Sequence, residues 1–301
     1  MARLFSLNGR ITPAARAAVS AFDRGFIYGD SAYETVRSYR GRPFLFAEHW
    51  RRLKDSCRGL AIPFPWPRRA QESFLVRLLR RAGLSSAHVR IVVTRGVGTI
   101  RMAPEPGLSP NLMFYAQPFQ PLPEALYSQG APAALVAQRR NPIVSLDPRI
   151  KSSNLLNNVL ASMQSQRRGA LEALMLNPDG FLAEGASSNL FLVRRGVVMT
   201  PPLAEGILSG ITRAVVFKVA SQEGIPLRER HLRERELWSC DEAFITSTLK
   251  EVLPLRTCNG RRVGGGRPGP VTLRLLEAYR RFTARWLERA GRRGARRRRR
   301  P

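Results

Sequence analysis

Lysine is rare in this chain, which makes each lysine a candidate for chemistry that arginine cannot do. The 301 residues include 50 basic side chains, of which only four are lysine, namely Lys54, Lys151, Lys218 and Lys250. A guanidinium keeps its proton near neutral pH, whereas an amine can lose it and attack a carbonyl to form a Schiff base. Lys151 is distinguished by its context, because Asn154 and a run of apolar residues at helical spacing follow it. We therefore take Lys151 as the candidate nucleophile.

Groups that suit carboxylates and phosphates lie on the N-terminal side of Lys151. Tyr28, Tyr33 and Arg37 fall within sixteen residues, 22–37, and could offer two phenols and a guanidinium to a substrate carboxylate. Arg52 lies in the next predicted helix, where it could meet a phosphate.

A second set of candidates follows Lys151. Gly210 and Thr212 open a predicted helix, and the unpaired N–H groups of a helix N-terminus suit a phosphate. Glu184 follows a predicted strand, and Thr248 ends another. Taken singly, a glycine before a helix is usually a cap and a lone glutamate is usually a solvated charge, so only the combination carries weight.

Composition narrows the class of protein. The net charge is +28, but the basic residues punctuate ordinary amphipathic segments along the whole chain, so specific nucleic-acid binding is not expected. No apolar run is long enough to cross a membrane. Three scattered cysteines and three scattered histidines suggest neither a disulfide framework nor a metal site, and we expect a cytoplasmic protein without a metal.

Alternating strand-like and helical segments in both halves predict a mixed α/β enzyme with two domains and a site between them. Helices are predicted over 47–60, 71–82, 151–169, 210–224 and 271–289. A proline-rich stretch suggests the linker. The predicted organisation is a small N-terminal domain (1–120), a linker (121–132), a large C-terminal domain (133–290) and an arginine-rich tail without fixed structure (291–301).

The motifs in combination resemble a known family. The segments 22–37, 149–161, 183–191 and 206–213 are similar in order and spacing to the class IV aminotransferases of fold type IV, which use pyridoxal 5′-phosphate. The resemblance covers residues 8–290, and it implies the two-domain fold, amino acid and 2-oxo acid substrates and a homodimer.

The resemblance also implies a role for each candidate. Lys151 would form the Schiff base with the cofactor and carry the substrate proton, and Glu184 would pair with the pyridine nitrogen. Other residues would hold the cofactor or the substrate. The phosphate would be bound by Arg52, the turn at Gly210, the backbone of Ile211 and Thr212, and Thr248; Leu208 would pack on the ring; Tyr28, Tyr33 and Arg37 would line the substrate pocket.

The motifs leave the specificity open. Residues 94–102 and 141–151 and Arg37 are most similar to branched-chain amino acid aminotransferases, which favours aliphatic L-amino acids. Tyr33 and Leu155 match D-amino acid aminotransferases instead, and Arg101 would be the carboxylate-binding arginine of that group. The 4-amino-4-deoxychorismate lyases, which usually have histidine where this chain has Ser152, are a third alternative, and a basic nucleic-acid-associated protein is a fourth.

Overall fold

The structure is a computed structural model that describes residues 3–298, with side chains described as far as Gly291. The chain divides into two compact units. Unit 1 comprises Met1–Pro121 and Pro148–Leu155, and unit 2 comprises Leu122–Asp147 and Leu156–Pro301. The division differs from the predicted one in two respects. Residues 122–132 of the predicted linker 121–132 belong to unit 2. The segment with Lys151 groups with unit 1, although the sequence placed it in the domain 133–290.

Unit 1 is built on an antiparallel sheet. Its described elements are β1 (Leu4–Leu7), β2 (Arg10–Pro13), α1 (Arg24–Ile27), β3 (Ser31–Tyr39), β4 (Arg42–Pro43), α2 (Phe46–Gly59), α3 (Arg68–Arg81), β5 (Ala87–Thr94) and β6 (Asn111–Pro118). The strand order is β2-β1-β6-β5-β3-β4, and all neighbouring pairs are antiparallel.

The two faces of this sheet differ in character because side chains alternate along each strand. On β3, Ala32 and Val36 are buried in the core, and this core also contains Trp50 and Leu53 of α2 and Leu78 of α3. The opposite face carries residues of intermediate exposure such as Tyr33 and Arg37. Glu34 lies on the same face as Ala32 and Val36 and is fully buried, although it is charged. A charge in that position needs a partner.

Unit 2 contains the second sheet. Its described elements are α4 (Ala125–Gln129), β7 (Ala131–Leu135), α5 (Leu156–Arg167), β8 (Glu172–Leu176), β9 (Leu182–Gly185), β10 (Asn189–Arg194), β11 (Val197–Thr200), α6 (Ile211–Gln222), β12 (Leu227–Glu229), α7 (Glu234–Ser239), β13 (Glu242–Ser247), β14 (Glu251–Cys258), β15 (Arg261–Arg262) and α8 (Pro270–Arg298). The order is β12-β11-β10-β13-β14-β7-β8-β9, and β15 pairs with β14. Because β9 also pairs with β10, the path closes on itself and sets Glu184 opposite Asn189.

The mixed α/β class predicted from the sequence is confirmed, and most predicted helices lie within a few residues of the observed ones. The helix predicted over 151–169 is wrong at its start, because α5 begins at Leu156 and residues 151–153 are extended along β3. The backbone of 291–298 continues α8 and so differs from the structureless tail expected there; residues 299–301 lie outside the described part. None of the described helices has the length and apolar composition of a membrane-spanning segment.

Candidate active-site residues

Lys151 is fixed in unit 1 by its own backbone. Its N–H donates to Ser56 Oγ at 3.0 Å, and its carbonyl accepts from the N–H of Tyr33 at 2.9 Å. The next residue, Ser152, forms an antiparallel bridge with Ala32. The extended segment therefore places Lys151 beside the start of β3. Hydrogen bonds from its N–H and to its carbonyl fix its backbone.

The Lys151 amine contacts Tyr33. Nζ donates to the phenol oxygen at 3.3 Å and lies 4.4 Å from the centre of the ring. The guanidinium of Arg90 is 3.9 Å from the centre of the same ring. Arg90 lies opposite Thr35 in the β3–β5 register, so it reaches Tyr33 diagonally on the shared face of the sheet. The ring of Tyr33 therefore contacts both the amine and a permanent cation.

The second cluster in unit 1 surrounds Glu34. Arg52 Nε and Nη2 donate to the two oxygens of this carboxylate at 2.6 and 2.9 Å. His49 Nδ1 lies 2.7 Å from Oε2. The predicted phosphate ligand Arg52 is therefore oriented by a bidentate bond to a fully buried carboxylate.

The charges around Glu34 determine its ionisation. Burial by itself would raise the pKa of Glu34, but Arg52 and His49 outweigh burial and hold that pKa well below its usual range. Burial lowers the pKa of His49; Glu34 opposes this shift, and the positive charges of Arg52 and Lys151 add to it. The imidazole is therefore neutral at pH 7, and Nδ1 carries the hydrogen donated to Glu34.

The other predicted substrate residues make different contacts. Tyr28 is the C-cap of α1, and the guanidinium of Arg24 lies 4.7 Å from its ring centre. The guanidinium carbon of Arg37 lies 4.3 Å from the ring centre of Tyr39. Arg101 is exposed, and its carbonyl accepts from Arg24 Nη1 at 2.6 Å. The contact that the structure shows at the Lys151 amine is with Tyr33.

Unit 2 places Glu184 in a buried hydrogen-bonding site, which we name the Glu184 clamp and define as Arg140, Asn189 and the backbone N–H of Leu208. Arg140 Nε donates to Oε1 at 2.9 Å. Asn189 Nδ2 and the Leu208 N–H donate to Oε2 at 3.2 and 3.0 Å. The predicted ring-packing residue Leu208 thus also orients the carboxylate through its backbone.

Some of the residues predicted to bind the phosphate lie at the N-terminus of α6. Gly210 is the N-cap and no side chain caps this end, so Ile211 and Thr212 begin the helix in the way that suits an anion. A Cβ at Gly210 would lie 1.9 Å from Asn189 Oδ1, which shows how closely the turn approaches the Glu184 clamp. Thr248 lies in the turn after β13. The Lys250 amine binds Glu172 and Ser187 and thereby holds this turn.

A buried hydroxyl next to these groups lacks a partner. Glu184, Asn189 and Thr246 lie side by side on β9, β10 and β13 in register. Within residues 3–298, Thr246 Oγ1 is buried without a hydrogen-bond partner. An unsatisfied buried hydroxyl is uncommon and suits a place where a polar ligand binds.

Sequence reasoning missed the residues that support the candidates, namely Glu34, His49, Ser56, Arg90, Arg140 and Asn189. Glu34 was the easiest of them to predict from sequence. It occupies the same face of the strand as the apolar Ala32 and Val36, and a charged residue on such a buried face is unusual. Arg140 had no comparable signal in a chain so rich in arginine.

Comparison with known proteins identifies the family. The model of amino-transferase class IV matches residues 31–258. A putative branched-chain-amino-acid aminotransferase of Methanocaldococcus jannaschii is 39% identical over 93% of this chain and 96% of that protein. A D-alanine aminotransferase of Bacillus licheniformis is 34% identical over 88% of this chain and 92% of that protein. The crystal structure of the T.th. branched-chain amino acid aminotransferase with pyridoxamine 5′-phosphate has a TM-score of 0.89 and 31% identity over 94% of both chains. The chain therefore belongs to the class IV aminotransferase family, as its motifs predicted.

Proposed function

We propose that this enzyme uses pyridoxal 5′-phosphate to transfer amino groups from amino acids to 2-oxo acids, with branched-chain aliphatic L-amino acids as the preferred donors. The observation that carries the proposal is the Lys151 amine held 3.3 Å from the Tyr33 hydroxyl. Membership of the family supports the reaction, and the names of the M. jannaschii and T.th. relatives support the branched-chain preference.

The residues fit this cofactor. The uncapped N-terminus of α6 and the close approach at Gly210 suit its phosphate, and the Glu184 clamp presents a carboxylate for its ring nitrogen. We infer that Arg52, Gly210, Ile211, Thr212 and Thr248 bind the phosphate. We further infer that Leu208 packs on the ring. When bound, pyridoxal phosphate supplies a carbonyl for the amino group and a ring that accepts electrons from the substrate Cα.

The protein contributes binding and proton transfer. Lys151 would bond to the cofactor before substrate arrives and take up the proton from the substrate Cα afterwards. Glu184 would hold a proton at the ring nitrogen, which keeps the ring electron-poor. We infer that Tyr28, Tyr33 and Arg37 bind the substrate, with Tyr33 orienting the lysine amine as well.

A preference for D-amino acids is the second candidate function. Tyr33 supports it, because its phenol is beside the amine, where it could donate to a substrate carboxylate. The B. licheniformis relative, a D-alanine aminotransferase, supports it as well. Arg101 would then be the carboxylate-binding arginine.

We also infer a cytoplasmic homodimer. Cys57, Cys240 and Cys258 are free thiols, as is usual in a reducing compartment. On α5, the apolar side chains Leu156, Val159, Leu160 and Met163 follow helical spacing and are exposed in a single chain. We name these four residues the α5 stripe and propose that a second copy covers it.

The proposal is tested by replacing the lysine. In Lys151→Ala, we expect borohydride to attach no cofactor to the protein, and turnover with L-leucine and 2-oxoglutarate to fall at least a thousandfold, since no amine remains to form the bond or move the proton. Lys54→Ala, which changes an exposed lysine on α2, is the control and should behave as wild type. Mass spectrometry of the reduced protein measures attachment.

Normal turnover by Lys151→Ala without an added amine would refute the proposed mechanism. The wild-type enzyme also decides between the two candidate specificities. Conversion of the bound cofactor to its amine form by L-leucine supports the first, and conversion by D-alanine but not by L-leucine would replace it with the second.

A further inference from the structure

The carboxylate of Glu184 has a buried cation of its own. Arg140 and Glu184 form an ion pair in which the two side chains are 10% and 6% exposed. We propose that Arg140 is a positioning residue that fixes the Glu184 carboxylate for the cofactor's ring nitrogen. This inference rests on the proposed function, because it gives a role to Arg140 only if Glu184 meets that nitrogen.

Arg140 is itself held in place. Its backbone N–H donates to the carbonyl of Leu176 at 2.9 Å, which ties it to the end of β8. Its Nη1 donates to Asn158 Oδ1 at 3.3 Å, and Asn158 Nδ2 donates to the carbonyl of Ala186 at 2.8 Å. The guanidinium is therefore located by β8 and α5 and does not depend on Glu184 alone for its position.

The clamp fixes both oxygens of Glu184 from different elements. Arg140 holds Oε1, while Asn189 and the N–H of Leu208 hold Oε2. Asn189 Nδ2 also donates to the carbonyl of Leu208 at 2.9 Å, so the same amide ties the carboxylate to the loop before α6. Removing the donor at Oε1 would let the carboxylate rotate about its last torsion, which is intrinsically soft.

The energetics favour a positioning role over a stabilising one. A buried ion pair often contributes little net stability, because desolvation offsets the attraction between the charges. The geometry of the ion pair is nevertheless well defined. A group that binds a ligand needs to be held within about 0.5 Å of the position in which it binds. Without Arg140, the buried carboxylate would lose the cation at Oε1, while Asn189 and the N–H of Leu208 would still hold Oε2.

The test compares two ligands that differ only at the ring nitrogen. Pyridoxal 5′-phosphate and its 1-deaza analogue, in which a C–H replaces that nitrogen, are titrated into cofactor-free protein, and the ratio of the two dissociation constants is measured. Wild type should bind pyridoxal phosphate at least tenfold more tightly. In Arg140→Met, this preference should fall to within twofold of unity, with the affinity for the deaza analogue nearly unchanged. Arg139→Met, at an exposed neighbouring arginine, should keep the wild-type ratio.

The ratio separates positioning from general damage, because a distorted protein would bind both ligands more weakly. If Arg140→Met does not fold, Arg140→Lys is used; it keeps the charge but not the planar group, and a reduced preference is expected. A full wild-type preference in the variant that folds would overturn the inference alone. Equal affinities for the two ligands in wild type would overturn the proposed role of Glu184 and this inference together.

Discussion

At the scale of single residues, Glu34 shows how a buried carboxylate can orient a cation, here Arg52, which we propose binds phosphate. It is surrounded by Arg52 and His49, and its charge is compensated by the guanidinium. A second full positive charge on His49 would overcompensate it, because Lys151 is also close enough to disfavour a protonated imidazole. The neutral histidine therefore completes the site as a hydrogen-bond donor.

This arrangement predicts that the free energy of unfolding decreases as the pH falls. The pKa of His49 is lower in the folded protein than its ordinary value of 6.5, so below pH 6.5 the unfolded chain binds a proton that the folded chain does not. Stability is therefore lost as pH falls from 6.5. Glu34, whose folded pKa is also depressed, adds a further loss below its ordinary value of 4.5. In His49→Gln, the urea midpoint should decline less between pH 7 and pH 5 than in wild type.

Parallel declines in the two proteins would show that His49 is not the group that takes up the proton. Urea unfolding at fixed ionic strength, followed by circular dichroism, gives the measurement. The comparison of slopes is robust to the change in absolute stability that the substitution brings, because other titrating groups are common to both proteins.

The sequence proposes candidates for the chemistry, but it did not reveal the residues that the structure shows supporting them. Lys151, Glu184 and the turn at Gly210 lie in segments with recognisable order and spacing. By contrast, Arg140 is 44 residues from Glu184, and nothing in a single sequence selects it from 46 arginines. The assignments of Tyr28, Arg37 and Arg101 to the substrate stay predictions.

At the scale of elements, the spacing of apolar residues predicted those helices well that pack against the core with one apolar face. The α2 and α3 helices follow their apolar stripes, and α6 begins at Ile211, directly after the predicted glycine. The start of α5 was missed because residues 151–153 pair with β3, whose Tyr33 is 118 residues away from Lys151. A long-range pairing of this kind overrides helical spacing, which is a local signal.

The close packing at the start of α6 predicts that adding one methyl group, in Gly210→Ala, weakens cofactor binding and lowers stability. In Gly210→Ala, the new Cβ would meet Asn189 Oδ1 at 1.9 Å, so either the turn or Asn189 must move. If the proposed site is right, both movements would disturb cofactor binding, because Asn189 also holds Glu184. We expect pyridoxal phosphate to bind at least tenfold more weakly, with a loss of stability of about 1–3 kcal/mol. Titration of the cofactor-free protein and urea unfolding measure the two effects.

Gly265→Ala is the matched control, since its Cβ would have its nearest neighbour at 4.0 Å. It should leave both cofactor affinity and stability within error of wild type. Wild-type affinity in Gly210→Ala would mean that this turn does not approach the phosphate, and it would remove α6 from the proposed site.

At the scale of the whole molecule, the abundance of arginine has a structural use. Arg95 binds both oxygens of Asp30 and the carbonyls of Leu60 and Ala61. Arg24 binds Asp30 and the carbonyls of two loop residues. Such forked contacts need a planar group with several donors, which lysine lacks. Part of the high positive charge therefore holds loops in place.

The exposed α5 stripe predicts the assembly of the molecule. An aspartate at its centre, in Leu160→Asp, would place a charge in an interface between two copies, where desolvation is costly. If the proposed dimer forms through this stripe, we expect wild type to sediment as a dimer at micromolar concentration and the variant to sediment as a monomer. Leu273→Asp on α8 is the control, because Leu273 and Leu160 are equally exposed, at 42% and 41%, and it should remain a dimer. Analytical ultracentrifugation distinguishes the two states. A dimeric Leu160→Asp would move the interface away from α5, and a monomeric wild type would exclude the homodimer altogether.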